Sequence, residues 1–424
     1  SANGASNGII LNSTGSNGSL MVKGNGGSCT SAATCTGGAI QATTGDGISL
    51  TSTRAPSLTR IFVSGSGGHG INATSVNNGL TLTSSFVTNS GNADNEYGLN
   101  LSNLTGTATI SGTTFNNAAD DLIHFVNTNT NGNLTVNGSS SFVYPAVISA
   151  TANAGIAIQP NGTSNVTVTV QSSTFTNIKS DSIQWGAATA GSNGTSTLDF
   201  SNNTITVNTA GRASGFSLSC QEATTGNITI ANNGFSGAGG NGVISIDCND
   251  ASLLTGSVSG NTITNPPGIG MFVAVDEASE ARLTLNGNTV TNSGGDGIQV
   301  VNFGGLGVSD LYLALTNNQV NGHSANTGVN FVGGISITSF EDNSCIELRG
   351  NTVTGTPVSA TQCGGAPCVD YYIEEVGGTM TFEEVPNTAS TTLDAAYVNS
   401  SNDAGPVTIF GTIDLSNGGQ CPFP

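Results

Sequence analysis

Positive charge is scarce in this chain: seven Lys plus Arg stand against 26 Asp plus Glu in 424 residues, a net charge of −19. A surface of that sign repels a phosphate backbone instead of releasing its counterions, so nucleic acid is not expected as a partner, nor are anionic membranes. Charge of either sign is low too: 8% of residues is about a third of the level in an average domain, so solubility must rest on Asn, Ser and Thr. No stretch approaches the roughly 20 apolar residues that a membrane helix needs, so no membrane insertion is expected. The opening SANGASNG has neither a charged segment nor an apolar one, so any secretory leader has been removed or lies upstream. There is one Trp, which leaves few ring platforms for sugars. Calcium is the single ion for which the sparse carboxylates leave room, and no other cofactor or metal is expected.

Cysteine is present in an even number, eight. Cys29/Cys35 and Cys363/Cys368 are spaced for short local bridges, and with no histidine near either pair a zinc site is not expected. His69, His124 and His323 are far apart in sequence. Disulfides imply an oxidising, extracellular or cell-surface setting.

What the chain has in quantity is Gly, 60 residues, and a repeated phrase. It reads GTTFNNA at 112, SSTFTNI at 172, NNTITVN at 202, GNTITNP at 260, GNTVTNS at 287 and GNTVTGT at 350, and, with SSFVTNS at 84 and NNGFSGA at 232, its central apolar residues are Phe86, Phe115, Phe142, Phe175, Ile205, Phe235, Ile263, Val290, Val320 and Val353. Successive steps of 27 to 33 residues signal a solenoid. A second phrase follows in each period, as in GDGISL at 45, YGLNLS at 97 and GDGIQV at 295, and a third, as in NLTVNG at 133, leads back to the first. Three short alternating strands per period, separated by Gly and Asn, predict an all-β, right-handed, three-sided parallel β-helix of about a dozen coils. Residues 1–360 form the β-helix in this reading, and 361–424 the last coils and a small cap containing a short helix around Thr391 to Val398.

The second phrase defines a core stack: Ile48, Ile71, Leu99, Ile123, Ile156, Ile183, Phe216, Val243, Met271, Ile298 and Ile335, about 4.8 Å apart along the axis. Asn72, Asn100, His124 and Ser336 face outward beside it, and Trp185 falls in a second inward column. Asn203, Asn233, Asn261, Asn288, Asn318 and Asn351 precede the first-phrase apolar residue by two. Asn there tolerates left-handed backbone and can bond its equivalents in neighbouring coils. Cys220 and Cys248 follow equivalent strands of adjacent coils and are candidates for a staple between coils, with free buried thiols as the alternative. Cys421 is placed to tie the cap back to Cys345.

On these phrases, CTGGAIQATTGDGISL and GNTVTNSGGDGIQV among them, the chain resembles the right-handed parallel β-helix (pectin-lyase-like) superfamily over roughly residues 5 to 360. It is similar in particular to repeat regions of large bacterial secreted or surface proteins. The fold hosts pectin and alginate lyases, polygalacturonases, phage tailspikes and autotransporter adhesins, so the resemblance implies architecture and a bacterial extracellular setting without choosing an activity.

Gly68-His69-Gly70 matches a motif of polygalacturonases, but the Arg-Ile-Lys that accompanies it there is missing. The triplet also falls in the column of Gly45-Asp46-Gly47 and Gly295-Asp296-Gly297, so His69 reads as a polar turn residue opening a strand. Asp120, Asp121, His124 and Asp181 make the better constellation. Asp121 and Asp181 share a column two coils apart, about 10 Å between backbones, near the upper end of the separation used by inverting carboxylate pairs. His124 would bind substrate or move a proton. Lyase chemistry on an acidic sugar needs cations, and the seven basic residues are dispersed. Asp247, Asn249 and Asp250 make too short a run for a full calcium ligand set. Asn72, Asn103, Asn161, Asn193 and Asn227 head Asn-X-Ser/Thr triplets, a weak signal in so Asn- and Thr-rich a chain.

Two functions are therefore expected in order. The first is a non-catalytic extracellular structural or adhesive β-helix, an adhesin or fibre subunit with no catalytic residues, which carries a glycan or surface ligand and associates with itself head to tail through an open first coil or continues a longer solenoid. The alternative is a polysaccharide-processing enzyme, a glycoside hydrolase or lyase, built on Asp121, Asp181 and His124.

Overall fold

The computed structural model describes residues 1–14, 17–186, 190–209, 211–240, 242–303, 307–323, 333–340, 343–355, 369–383, 393–402, 406–411, 413–416, 421 and 423. They fall into two compact units, Ser1–Ser214 and Gly215–Pro424. Each unit is a parallel β-solenoid whose coils give one strand to each of three sheets, here called A, B and C in the order the chain meets them within a coil. One coil of the first unit shows the pattern: Thr114–Ala118 in sheet A, Ile123–Thr128 in sheet B and Gly132–Asn137 in sheet C. The junction expected near residue 360 lies outside the described residues.

Alternation decides which face of each strand is core. In Ile123–Thr128 the residues Ile123, Phe125 and Asn127 are buried while His124 and Val126 are half-buried. In sheet B of the first unit the inward column runs in register through Ile48, Ile71, Leu99, Ile123, Ile156 and Ile183, as the sequence predicts. All six are fully buried, and each contributes about 1.5–3 kcal/mol by leaving water. Trp185 is buried in the second column, opposite Ile158.

In the second unit the column is Phe216, Ile244, Met271, Ile298 and Ile335, which corrects one position. Ile244, not Val243, stands in the stack. Three apolar residues among Val243–Ile246 allow two readings, and placing Ile244 inward is the reading that also puts Ile246 between Leu218 and Val273. Sheet A holds the same kind of slip, since Val87 and not Phe86 is the partner of Phe115.

The corners between sheets C and A demand left-handed backbone, and the sequence supplies residues that tolerate it. Asn202 (φ 56°), Gly260 (φ 63°), Gly287 (φ 66°) and Asn317 (φ 55°) occupy that place. Glycine has no Cβ to clash there, and the short Asn side chain reduces the penalty. The next residue is buried and binds its neighbours: Asn261 Nδ2 donates to the Ile230 carbonyl and to Asn288 Oδ1, at 2.8 and 2.9 Å.

The expected cap helix is Ala395–Ser401, with Asp394 accepting the Tyr397 N–H. It starts a turn later than the sequence suggests because that carboxylate satisfies an otherwise orphan amide at the first turn. Cys29–Cys35 and Cys345–Cys421 are bonded. Cys220 and Cys248 oppose each other across sheet B but are buried free thiols, so the expected staple is not formed. Opposed residues of parallel strands project their Cβ atoms the same way, and closing the bridge would turn both thiols from that shared direction. Cys363 and Cys368 lie outside the described residues.

Candidate functional site

The densest group of chemistry-bearing side chains lies in the first unit, where chain leaving sheet A enters sheet B. Three register rules build it. Asp46 sits one coil before His69, His69 one coil before Tyr97, and Tyr97 one coil before Asp121, because Ile48, Ile71, Leu99 and Ile123, each two residues further on, are partners. His124 follows Ile123 on the outward side.

The rings stack. His69 and Tyr97 have centroids 5.3 Å apart with planes 18° from parallel, and Tyr97 and His124 are at 4.2 Å and 4°. Tyr97 N–H donates to His69 Nδ1 at 3.1 Å. That nitrogen is therefore unprotonated and His69 is the neutral Nε2–H tautomer. Burial pushes its pKa down, against the carboxylates of Asp46 and Glu96.

His124 is oriented the other way round. Its Nδ1 lies 3.0 Å from Asp121 Oδ2, so Nδ1–H faces the carboxylate and Nε2 points away from it. Asp121 is 3% exposed, and its other oxygen accepts the Ala154 N–H at 2.9 Å. An imidazole held by a carboxylate at one nitrogen and open at the other can accept a proton or hold a ligand.

Asp46 repeats the device. Its Oδ1 accepts the His69 N–H and its Oδ2 the Asn72 amide, both at 3.0 Å, and Asn72 in turn accepts from Asn100. Asp120 accepts the Asn95 N–H at 3.2 Å, and burial, aided by the neighbouring Asp121, raises its pKa to about 6. The Tyr144 hydroxyl donates to the Asp120 carbonyl.

Asp181 occupies the column of Asp121 two coils on, with Ala154 between, because Ile123, Ile156 and Ile183 are in register. The two carboxylates are engaged separately: Asp181 accepts the Ser180 hydroxyl at 3.0 Å while Asp121 serves His124 and Ala154. Burial raises the Asp181 pKa. The structure thus brings Asp120, Asp121 and His124 together and adds His69, which the sequence reading set apart as a turn residue. Tyr97 was missed; its one signal is that it precedes Gly98 as His69 precedes Gly70.

The Gly-Asp-Gly column is explained by the same geometry. Asp296 in the second unit accepts the Gly333 N–H at 2.9 Å, as Asp46 and Asp121 accept the amides of residues in the next coil. Asp296 is buried, which raises its pKa to about 7. Near Asp250, an open cleft is lined by Glu222, Asp250 and Glu277 over the methyl groups of Ala223, Ala251 and Ala278. Asp250 accepts the Glu222 N–H at 2.9 Å. Among the described residues no three side chains of metal-binding type converge.

Comparison with protein-family models, with curated proteins and with solved structures returns no match.

Proposed function

We propose that this chain is a non-catalytic extracellular structural or adhesive β-solenoid, acting as a shaft, adhesin or fibre subunit of the right-handed, pectin-lyase-like kind seen in bacterial surface proteins. One observation carries the reading. Of the two carboxylates placed for chemistry, Asp121 is engaged by the scaffold, holding the Ala154 amide of the following coil as Asp46 and Asp296 hold theirs, and Asp181 is engaged separately by the Ser180 hydroxyl. A carboxylate fixed in this way supports the stack, and a buried amide left without it would cost about 1–3 kcal/mol. The bridges Cys29–Cys35 and Cys345–Cys421 support an oxidising compartment.

The second reading, a polysaccharide-processing enzyme, rests on the Asp121–His124 pair, whose outward Nε2 is placed as a proton acceptor. A screen of soluble and insoluble glycans separates the two. The shaft reading expects no new reducing ends or unsaturated products. Cleavage that Asp121→Asn abolishes would replace it with the enzyme. Electron microscopy of the purified chain then distinguishes isolated rods from end-to-end fibres.

A further inference from the structure

The outward face of sheet C in the first unit carries an ordered array of hydroxyl groups. Its central rank is Ser57, Thr81, Thr109, Thr135 and Thr169, each the register partner of the one before. A second rank, one strand position earlier on the same face, is Thr107, Asn133, Thr167 and Thr197. Neighbours within a rank are about 4.8 Å apart and ranks roughly 6.6 Å apart, the spacings of adjacent strands and of residues i and i+2.

Three features of this face bear on what it can bind. Among the outward side chains from Ser57 to Gln171 none is ionisable; the first is Asp199, which accepts from the Gln171 amide at 2.7 Å. None is aromatic. Among the described residues the hydroxyls of Thr81, Thr109, Thr135 and Thr169 make no hydrogen bond to protein, so their bonding capacity is directed outward.

We infer that this face binds ice. The prism surface of ordinary ice presents water oxygens on a near-rectangular grid whose two spacings are of the size of these ranks. Threonine suits that grid because its β-branched side chain has a restricted χ1, so hydroxyl and methyl positions are set before binding and little entropy is lost. The backbone ladder fixes the rows, and the absence of charge keeps strongly hydrated groups from disturbing the ordered layer. A crystalline polysaccharide is the less fitting lattice, since sugar rings are gripped by aromatic faces that this surface lacks. The inference deepens the adhesive reading by naming the surface held.

The test is growth of ice on a cold finger from a dilute solution of the whole chain, comparing protein in the ice and liquid fractions. The native chain is expected to enter the ice at least tenfold more than an inert globular protein. Thr109→Lys with Thr135→Lys is expected to lose that excess, while Ser49→Lys on sheet B keeps it, all three showing the same circular dichroism. Exclusion of the native chain from ice overturns the proposal, as does undiminished entry of a folded double variant. Should the double variant fail to fold, Thr135→Lys alone is read by the same criteria. Retention on microcrystalline cellulose with exclusion from ice would assign the face to a glycan lattice instead. Failure in ice leaves the shaft reading intact, whereas Asp121-dependent glycan cleavage overturns the shaft and not the ice result.

Discussion

The corner before sheet A is built differently in the two units. In the first, from Ser85 to Ser173, it is a column of hydroxyls, with the amide of Asn203 at its end: Ser85 N–H donates to Thr113 Oγ1 and Thr113 N–H to Ser140 Oγ, both at 3.3 Å. In the second it is a column of amides. Asn261 Oδ1 accepts both the N–H and the Nδ2–H of Asn233 at 3.0 Å, while its own Nδ2 donates to the Ile230 carbonyl and to Asn288. The pattern repeats through Asn288, Asn318 and Asn351 to Asn402, which follows the cap helix. A hydroxyl has one proton to give and an amide has two, so only the amide can donate to its neighbour's side chain and to a backbone carbonyl together. The second unit's corner is a continuous side-chain ladder, the first unit's a series of local contacts.

The strongest test breaks the amide ladder in its middle. Asn288→Leu leaves the Asn261 N–H and one Asn261 Nδ2–H without their acceptor in a buried site, and each such orphan costs about 1–3 kcal/mol. A loss of roughly 3–6 kcal/mol in denaturant unfolding is expected, with faster amide exchange concentrated in the adjoining coils. A loss no greater than that from a hydroxyl-column variant would show that the extra bonds add nothing.

A second difference concerns the corner carboxylates. Asp121 shares its charge between an imidazole and an amide, whereas Asp296 is 4% exposed with the Gly333 N–H beside it. Burial raises Asp296 from 3.8 to about 7, so below pH 4 it is protonated in both folded and unfolded chains and its stabilising share is complete. As pH rises towards 7 the unfolded chain releases this proton first, and stability falls by on the order of 3 kcal/mol. Unfolding midpoints measured from pH 4 to 8 should therefore decline more steeply in the native chain than in Asp296→Asn. Parallel curves would refute the burial argument.

How far these differences could be read in advance depends on what kind of partner is involved. The Ile48-to-Ile183 column was legible because each strand offers one apolar–polar–apolar register. Val243 and Phe86 were misread because each has an apolar neighbour that fits the same slot. Asp121 and His124 were put in one constellation, being three residues apart on one coil, but Asp121 was paired with Asp181 and its direct bond to His124 was not foreseen. Tyr97 was not, since its ring partners lie 28 and 27 residues away across loops of unequal length. The amide-capping role of Asp46, Asp121 and Asp296 was hidden for a deeper reason: the partner is a backbone N–H in the next coil, which no side-chain identity announces.

The end of the amide ladder gives a smaller effect. Asn402 Oδ1 accepts both amide donors of Asn351, and its Nδ2 returns a bond to the Leu348 carbonyl. Asn402→Ala should cost about 2 kcal/mol, less than Asn288→Leu because Asn402 is 6% exposed while Asn288 is fully buried. Amide exchange should rise at Asn351 with little change at Asn261. Equal protection loss at both would mean that the ladder opens as one unit, not rung by rung.

The smallest effect belongs to the hydroxyl column, where Thr113→Val keeps the shape and removes the donor. The Thr113 hydroxyl shares its one proton between the carbonyls of Leu82 and Ser111, at 3.3 Å each, long contacts whose combined net worth is about 1 kcal/mol. It also accepts the Ser85 N–H, so the valine leaves one buried amide bare and a loss of about 1–2 kcal/mol is expected. Thr113→Asn tests the converse. If amide chemistry alone made the second unit's corner stronger, this variant would gain stability over Thr113→Val even though its neighbours are serines. If the ladder is instead cooperative, a lone amide between Ser85 and Ser140 has no matching Oδ1 to receive its second proton, and it should do no better than the valine. Unfolding midpoints of the two variants, compared directly, decide whether the strength lies in the residue or in its repetition.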